Sequence, residues 1–486
     1  MSSGLSLLAN DELPKGWAEV SLREFRREKS TIFNPDNYAD ETVELYSIPS
    51  HEFGTPEIVK GAEIGSSKQF VQTGDVLLSK INPRINRAWV VGDFSRFQKV
   101  ASTEWVVFEK SNAVIPVLLK YLVTEVRIRD YLSHNASGVG GSLTRIKPSL
   151  VDTILVGLPP LNEQHRIVAK IEALFSELDK GIEALKTTRE QLKVYRQAVL
   201  KHAFEGKLTA QWREENKDKL ESPGQLLDRI QQEQTGNNDV LPGSWVVCTV
   251  KEILSYGPSN GRSVKDRKDG FPVLRLTALK AGKIDLSERK NGDWERDAAE
   301  QYIVQPGDFL LSRGNGSKHL VGRGGIVPEY KGEVAFPDTM VRLRINPEIM
   351  HVEYFSLVWQ SRLMRDQIES SARTTAGIYK INQRHIEGFV VPVPGLLEQA
   401  AVVAQVEEKL SNIDQQELEI DKALLSSEIL RQSILKKAFS GQLVPQDPND
   451  EPAAVLLERI LAEKAAQAKG GARAGRSGKK KKNEAA

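Results

Sequence analysis

Arginine and asparagine present paired hydrogen-bonding groups that match guanine and adenine edges, whereas lysine and serine more often hold phosphate oxygens. Two short segments concentrate these residue types. Lys80-Ile-Asn-Pro-Arg-Ile-Asn-Arg87 offers Lys80, Asn82, Arg84, Asn86 and Arg87, and Arg313-Gly-Asn-Gly-Ser-Lys318 offers Arg313, Asn315, Ser317 and Lys318. Each directly follows a strand-like run, Gly-Asp-Val-Leu-Leu-Ser79 in one case and Gly-Asp-Phe-Leu-Leu-Ser312 in the other. A second pair of segments combines small residues, hydroxyls and a cation. Ser137-Gly-Val-Gly-Gly-Ser-Leu-Thr-Arg-Ile-Lys147 contributes Ser142, Thr144, Arg145 and Lys147, and Thr374-Thr-Ala-Gly-Ile-Tyr-Lys-Ile381 contributes Thr374, Thr375 and Lys380. Such loops can bring backbone N–H groups close to a phosphate. The plain alternative for each is a glycine-rich connector with no ligand.

The overall charge is silent about partners, because 67 basic and 65 acidic residues leave only +2. Its distribution says more. Lys80, Arg84, Arg87, Arg96 and Lys99 face the single acid Asp93, and the run from Arg262 to Lys290 holds nine basic residues against four acids, among them Arg262, Lys265 and Arg267. One such run is commonly a solvated surface; two in equivalent places point to a polyanion.

Chemistry of other kinds finds little footing. The chain has no Asn/Asp-Pro-Pro-aromatic tetrapeptide to cradle an exocyclic amine, no phosphate-binding Gly-x-x-x-x-Gly-Lys-Ser/Thr loop and no His-Glu-x-x-His. Its seven histidines are scattered, and His165 reads as a surface residue at a helix start. The single cysteine, Cys248, lies in an apolar run and excludes an internal disulfide or a cysteine-based metal site. Spacing alone does not exclude a nuclease built from the many carboxylates. We therefore expect no catalytic residues, no metal and no cofactor on this chain.

The elements that must position these loops emerge from an internal repeat. Leu158-Pro-Pro-Leu-Asn-Glu-Gln164 aligns with Val393-Pro-Gly-Leu-Leu-Glu-Gln399, and Ala203-Phe-Glu-Gly-Lys-Leu208 with Ala438-Phe-Ser-Gly-Gln-Leu443, both at a shift of 235 residues. Gln72-Thr-Gly-Asp matches Gln305-Pro-Gly-Asp at a shift of 233, and Leu13-Pro-Lys-Gly-Trp17 matches Leu241-Pro-Gly-Ser-Trp245 at 228. The front of each half thus varies in length while the rear is locked. Each rear part reads as a long helix with heptad spacing: Ile171, Leu178, Leu185, Leu192 and Val199 in the first, Val406, Ile413, Ile420 and Ile434 in the second, with Ser427 as the polar break. Sustained heptads favour a packed helix pair. A helix of about 40 residues spans about 60 Å, long enough to act as a spacer.

The expected fold class is α+β: two mixed target-binding domains in tandem, separated by two long antiparallel heptad helices about a pseudo-twofold axis. The divisions are an extension over 1–12, a first domain over 13–157, a spacer helix over 158–208 and a linker with a short helix over 209–240. They continue with a second domain over 241–393, a second spacer helix over 394–443, a short helix over 444–468 and a basic, disordered tail over 469–486. No run approaches 18 apolar residues and the start lacks a signal-peptide pattern, so a cytoplasmic protein without membrane contact is expected.

This order of parts resembles the specificity subunits of type I restriction-modification systems across nearly the whole chain. A variable domain, a Pro-Pro-Leu-x-Glu-Gln segment entering a heptad helix, a Phe-x-Gly-Lys-Leu-Thr close and the same series again make up that family's pattern. Gly206-Lys-Leu-Thr-Ala-Gln-Trp-Arg213 is especially similar; the second copy departs at Pro394-Gly-Leu396 and at Gly441-Gln-Leu-Val444. The resemblance implies that each variable domain is a target recognition domain for one half of an asymmetric, bipartite site on double-stranded DNA. It implies two methyltransferase subunits on the helices and restriction/translocase subunits in the full assembly, with S-adenosylmethionine, ATP and Mg2+ bound by those partners. Two other readings stay open: a coiled-coil adaptor without DNA readout, which leaves the paired basic loops without a purpose, and a methyltransferase or nuclease in its own right.

Overall fold

Short apolar runs bounded by turn residues become strands, and longer runs with helical periodicity become helices, in each of two units. The computed structural model describes residues 5–7, 13–138, 144–230, 241–280, 282–375, 377–460 and 462. Unit 1 comprises Met1–Ala184 with Lys422–Ala486, and unit 2 comprises Leu185–Asp421. The basic tail, most of the N-terminal extension, the end of the 209–240 linker and Ser142 lie outside the described residues.

Unit 1 contains β1 (Ala18–Ser21), β2 (Val76–Ser79), β3 (Ala88–Val90), β4 (Trp105–Phe108), α1 (Pro116–Val123), α2 (Val126–His134) and β5 (Leu155–Leu158). β1 and β5 pair antiparallel from Ala18↔Leu158 to Ser21↔Leu155, joining the two ends of the front part. β2 lies between β3 and β4, and all four of its residues are buried, as its run Val-Leu-Leu-Ser requires. A five-stranded sheet is built from Ile32–Phe33, Lys68–Phe70, Gln98–Ser102, Thr42–Tyr46 and Glu57–Lys60 in that spatial order. α1 begins with Pro116, whose fixed φ suits the first helical turn, and buries Leu118, Leu119, Leu122 and Val123.

Unit 2 contains β6 (Val246–Thr249), β7 (Leu254–Asn260), β8 (Asp266–Leu274), β9 (Arg289–Gly292), β10 (Phe309–Ser312), β11 (Gly314–Asn315), β12 (Met340–Ile345), α3 (Val352–Gln360), α4 (Arg362–Ser371), β13 (Arg373–Thr375), β14 (Ile378–Lys380) and β15 (Val390–Val393). β6 pairs with β15 from Val246↔Val393 to Thr249↔Val390, in the manner of β1 and β5. β7, β12 and β10 are neighbours in a five-stranded sheet completed by Gly324–Ile326 and Gly282–Lys283. β8 and β9 form a separate two-stranded arm.

The repeated Gly-Asp pair is a structural turn in both units. Gly74 and Gly307 take positive φ of 94° and 83°, a conformation that suits glycine. The following carboxylates are buried: Asp75 accepts from the Gln72 N–H and from Arg27, and Asp308 accepts from the Gln305 N–H and from Arg344.

Two long helices, Leu161–Phe204 and Leu396–Ala438, contribute to both units. In unit 2 they run antiparallel, because Arg196 meets Asp414 while Arg189, two turns earlier, meets Asp421, two turns later. In unit 1 Arg431 meets Asp179 and caps the Phe175 ring at 4.4 Å. The heptad residues Ile171, Leu192, Val199, Val406, Ile413, Ile420 and Ile434 are buried, and Leu178 and Leu185 are half-buried. Ser427 returns its hydroxyl to the Ala423 carbonyl, which satisfies the polar break within its own helix.

Candidate nucleic-acid interface

The two loop segments proposed separately in each half lie side by side. In unit 1 the Ile146 N–H donates to the Lys80 carbonyl at 2.9 Å and Asn82 exchanges backbone and side-chain hydrogen bonds with Thr144. In unit 2 the Ile381 N–H donates to the Arg313 carbonyl at 3.1 Å, and β11 pairs with β14, which pairs with β13. The same backbone link therefore joins equivalent loops in each unit, around different side chains. No local pattern in the sequence could reveal it, since the partners are more than 60 residues apart.

Unit 1 engages most of its loop cations internally. Lys80 is half-buried and donates to the Thr103 carbonyl at 2.6 Å, and burial lowers its pKa. Arg87 pairs with Glu52 at 3.4 Å and Arg145 with Glu104 at 2.9 Å. Asn86 donates from Nδ2 to the Thr124 carbonyl at 2.7 Å. Arg84 and Lys147 are exposed, and neither has an ion-pair partner among the described residues. Lys99, part of the basic run, is buried beside Asp93 and Glu44 and serves the unit's own packing.

Unit 2 leaves its loop cations open. Arg262, Arg313, Lys318, Arg373 and Lys380 are all exposed and carry no ion pair among the described residues. Sheet register gathers several of them. Asn260 and Leu311 both flank Val341, so the chain leaves β7 toward Arg262 and β10 toward Arg313 at one end of the sheet. Gly314 faces Lys380, which in turn faces Arg373. Asn315 turns its Oδ1 to the Ser317 N–H at 3.0 Å, folding the tip back on itself. Thr374 is exposed and adjoins Thr375 on β13. Lys265 is exposed, while Arg267 on the β8 arm pairs with Glu295 at 2.7 Å and Asp293 at 3.1 Å.

Sequence reasoning assigned no role to the Glu-Gln pair in the first turn of each long helix. Glu163 accepts from the Trp17 indole, and Glu398 from the Trp245 indole. Gln164 and Gln399 each make three hydrogen bonds to backbone of the front part or the helix root. The signal was present in the repeated Trp and Glu-Gln. Among the described residues no group of three or more His, Cys, Asp or Glu side chains is placed to hold a metal, and no helix is long and apolar enough to cross a membrane.

Residues 14–187 match the family model described as the type I restriction modification DNA specificity domain. The chain is 30% identical to the type I restriction enzyme EcoKI specificity subunit of Escherichia coli K12 over 346 residues, covering 69% of each chain. It is 25% identical to the StySPI specificity subunit of Salmonella potsdam over 479 residues, covering 93% of this chain and 96% of that one. Its fold is similar to that of a chain from a structure describing assembly and conformational transition of the type I R-M system (TM-score 0.67, 19% identity, 89% of this chain and 99% of that one). It is also similar to the HsdS subunit from Thermoanaerobacter tengcongensis (TM-score 0.54, 18% identity, 89% and 99%). The chain belongs to the family of type I restriction-modification DNA specificity subunits.

Proposed function

We propose that each unit reads one half of an asymmetric, bipartite sequence on double-stranded DNA through its paired loops, and that the chain delivers this readout to catalytic partners. The observation that carries the reading is the backbone link made twice, Ile146 to Lys80 and Ile381 to Arg313, around different loop side chains. One architecture with two surfaces suits two unlike half-sites. The open cations of unit 2 supply phosphate attraction, and exposed arginines such as Arg84 and Arg313 supply groups matched to base edges.

The chain is non-catalytic, as its family is, and takes its place in a type I restriction-modification assembly. The finer composition we propose is two methyltransferase subunits, which would use S-adenosylmethionine, and restriction/translocase subunits, which would use ATP and Mg2+. Exposed apolar pairs support two copies of one partner: Val194 and Tyr195 on the first long helix recur as Ile429 and Leu430 on the second, at the same shift of 235. Leu418 and Leu425 extend the second exposed set. The Leu174, Leu410 and Leu424 side chains are half-buried and Phe175 is buried beneath Arg431, so the uncovered apolar surface lies elsewhere than the heptad seam.

The test is to co-express the chain with a cognate methyltransferase subunit and map methylated bases genome-wide. Methylation at one asymmetric bipartite sequence, with one half lost when Lys80–Arg87 is replaced by alanines and the other when Arg313–Lys318 is replaced, is the expected result. Methylation without sequence preference would favour the adaptor reading. Activity of the chain alone would restore the enzyme reading.

A further inference from the structure

We propose that the single turn Pro83–Ile85 of unit 1 is the tip that enters the major groove, with Arg84 hydrogen-bonded to a guanine edge and Ile85 packed against an adjacent thymine methyl group. This rests on the DNA-reading function above and names the residues that specify one half-site.

The turn is clamped from both sides. Asn82 and Asn86 bracket it with positive φ of 48° and 55°, and they are the only non-glycine residues in that region among the described residues. Their side chains hold the conformation: Asn82 Oδ1 accepts the Thr144 N–H at 3.2 Å, and Asn86 Nδ2 donates to the Thr124 carbonyl at 2.7 Å. Pro83 is buried and fixes its own φ, and α2 packs against the turn. Strained backbone of this kind persists only where its surroundings over-determine it, and it clusters at functional sites.

The clamp presents two exposed side chains, Arg84 and Ile85. Lys80, Arg87 and Arg145 each have a protein oxygen as partner, whereas Arg84 is exposed with none among the described residues. Ile85 is 48% exposed, an aliphatic group left to water on a rigid mount. A guanidinium without a protein partner exchanges only water when it takes up O6 and N7 of guanine, breaking no bond within the protein, and the fixed backbone lowers the ordering cost of binding. An adjacent aliphatic side chain finds in the same groove the thymine methyl group.

Randomised duplexes are selected with the full chain, co-expressed with its methyltransferase subunit, as wild type, Arg84→Ala, Arg84→Lys and Ile85→Ala. All three variants change exposed side chains, and equal thermal unfolding confirms intact folding. The expected result is loss of preference at adjacent positions of one half-site, the other half-site unchanged, with about tenfold weaker binding of the cognate sequence by Arg84→Ala and incomplete rescue by lysine. Uniform weakening across all sequences, a salt slope smaller by about one and full rescue by lysine would place Arg84 on a phosphate and overturn the proposal. Unchanged selection by both alanine variants would overturn it as well. Absence of any sequence preference in the wild type would instead sink the DNA-reading function on which the proposal rests.

Discussion

Trp17 Nε1 donates to Glu163 Oε2 at 3.0 Å in unit 1, and the other oxygen of that carboxylate is buried with no hydrogen-bond partner among the described residues. The equivalent Glu398 is fully engaged: Oε2 accepts from Trp245 at 2.9 Å, and Oε1 accepts from the Thr209 hydroxyl and the Arg213 guanidinium. Sequence explains the difference. At the 235-residue shift Thr209 becomes Val444 and Arg213 becomes Pro448, so unit 1 lacks both donors.

This asymmetry predicts opposite outcomes for one substitution. In Glu163→Gln the amide oxygen keeps the Trp17 bond and its NH2 occupies the unpartnered side. In Glu398→Gln the NH2 must face a donor whichever way it turns, and Arg213 loses its counter-charge, at a cost of about 3 kcal/mol. Burial raises the pKa of Glu163, with the Trp17 bond opposing. A carboxyl whose folded value is raised favours folding in its protonated form, so its penalty grows as pH rises from the ordinary value of 4.5 through the folded one. Thermal unfolding should therefore show Glu163→Gln at or above wild type near neutrality, the two converging below pH 4.5, and Glu398→Gln well below wild type. Equal losses in both variants would show that the two clasps are alike.

Gln399 offers a sharper polarity test. Its Nε2 donates to the Ile349 and Pro394 carbonyls at 2.9 Å each, and its Oε1 accepts from the His351 N–H at 2.8 Å, all while fully buried. Gln399→Ala strands three backbone groups, a loss of about 1–3 kcal/mol. Gln399→Glu sets a buried carboxylate against two carbonyl oxygens and should destabilise more at neutral pH, recovering in acid when the carboxyl can donate one bond. Denaturant midpoints at pH 7 and pH 5 separate the two; a glutamate variant as stable as the alanine variant at pH 7 would contradict the donor assignment.

The repeat, the long helices and the position of the loops were legible because they rest on local signals: heptads, Pro and Gly punctuation, and strand runs such as Val76–Ser79. The union of loops was not, because Ile146 and Lys80 meet through backbone atoms that no side-chain pattern encodes. Nor was the fate of the loop cations legible. Lys80 and Arg313 follow equivalent strands, yet one is folded onto the Thr103 carbonyl and the other stands open, and Arg87 and Arg145 are taken up by Glu52 and Glu104, acids from outside the loop segments.

Unit 2 predicts a graded salt dependence. Arg313, Arg373 and Lys380 are exposed without ion pairs among the described residues, whereas Arg267 is held by Glu295 and Asp293. A cation already paired must surrender its partner before it can release a counterion from DNA. Lys380→Ala and Arg373→Ala should each reduce the slope of log affinity against log salt by up to about 0.9, and Arg267→Ala by much less. Binding isotherms at several salt concentrations measure this directly; an Arg267 effect equal to that of Lys380 would mean that the β8 arm also contacts phosphate.

Cys248 supplies a clock for unit 2. It is 2% exposed on β6, where it pairs with Val391 of β15, and burial pushes its thiol up to about 12. Both the missing thiolate and the missing access make the native thiol inert at pH 8, because the thiolate is the nucleophile. Labelling by a thiol reagent should therefore follow opening of unit 2, with an ordinary thiol rate once the strand is exposed. Glu398→Gln, which loosens the clasp of Trp245, should speed labelling roughly in proportion to its loss of stability, and Glu163→Gln should leave the rate unchanged. Fast labelling of the native wild-type chain would mean that β6 opens without unfolding the core behind it, and the Trp245–Glu398 contact would then not be what holds the two ends of that domain together.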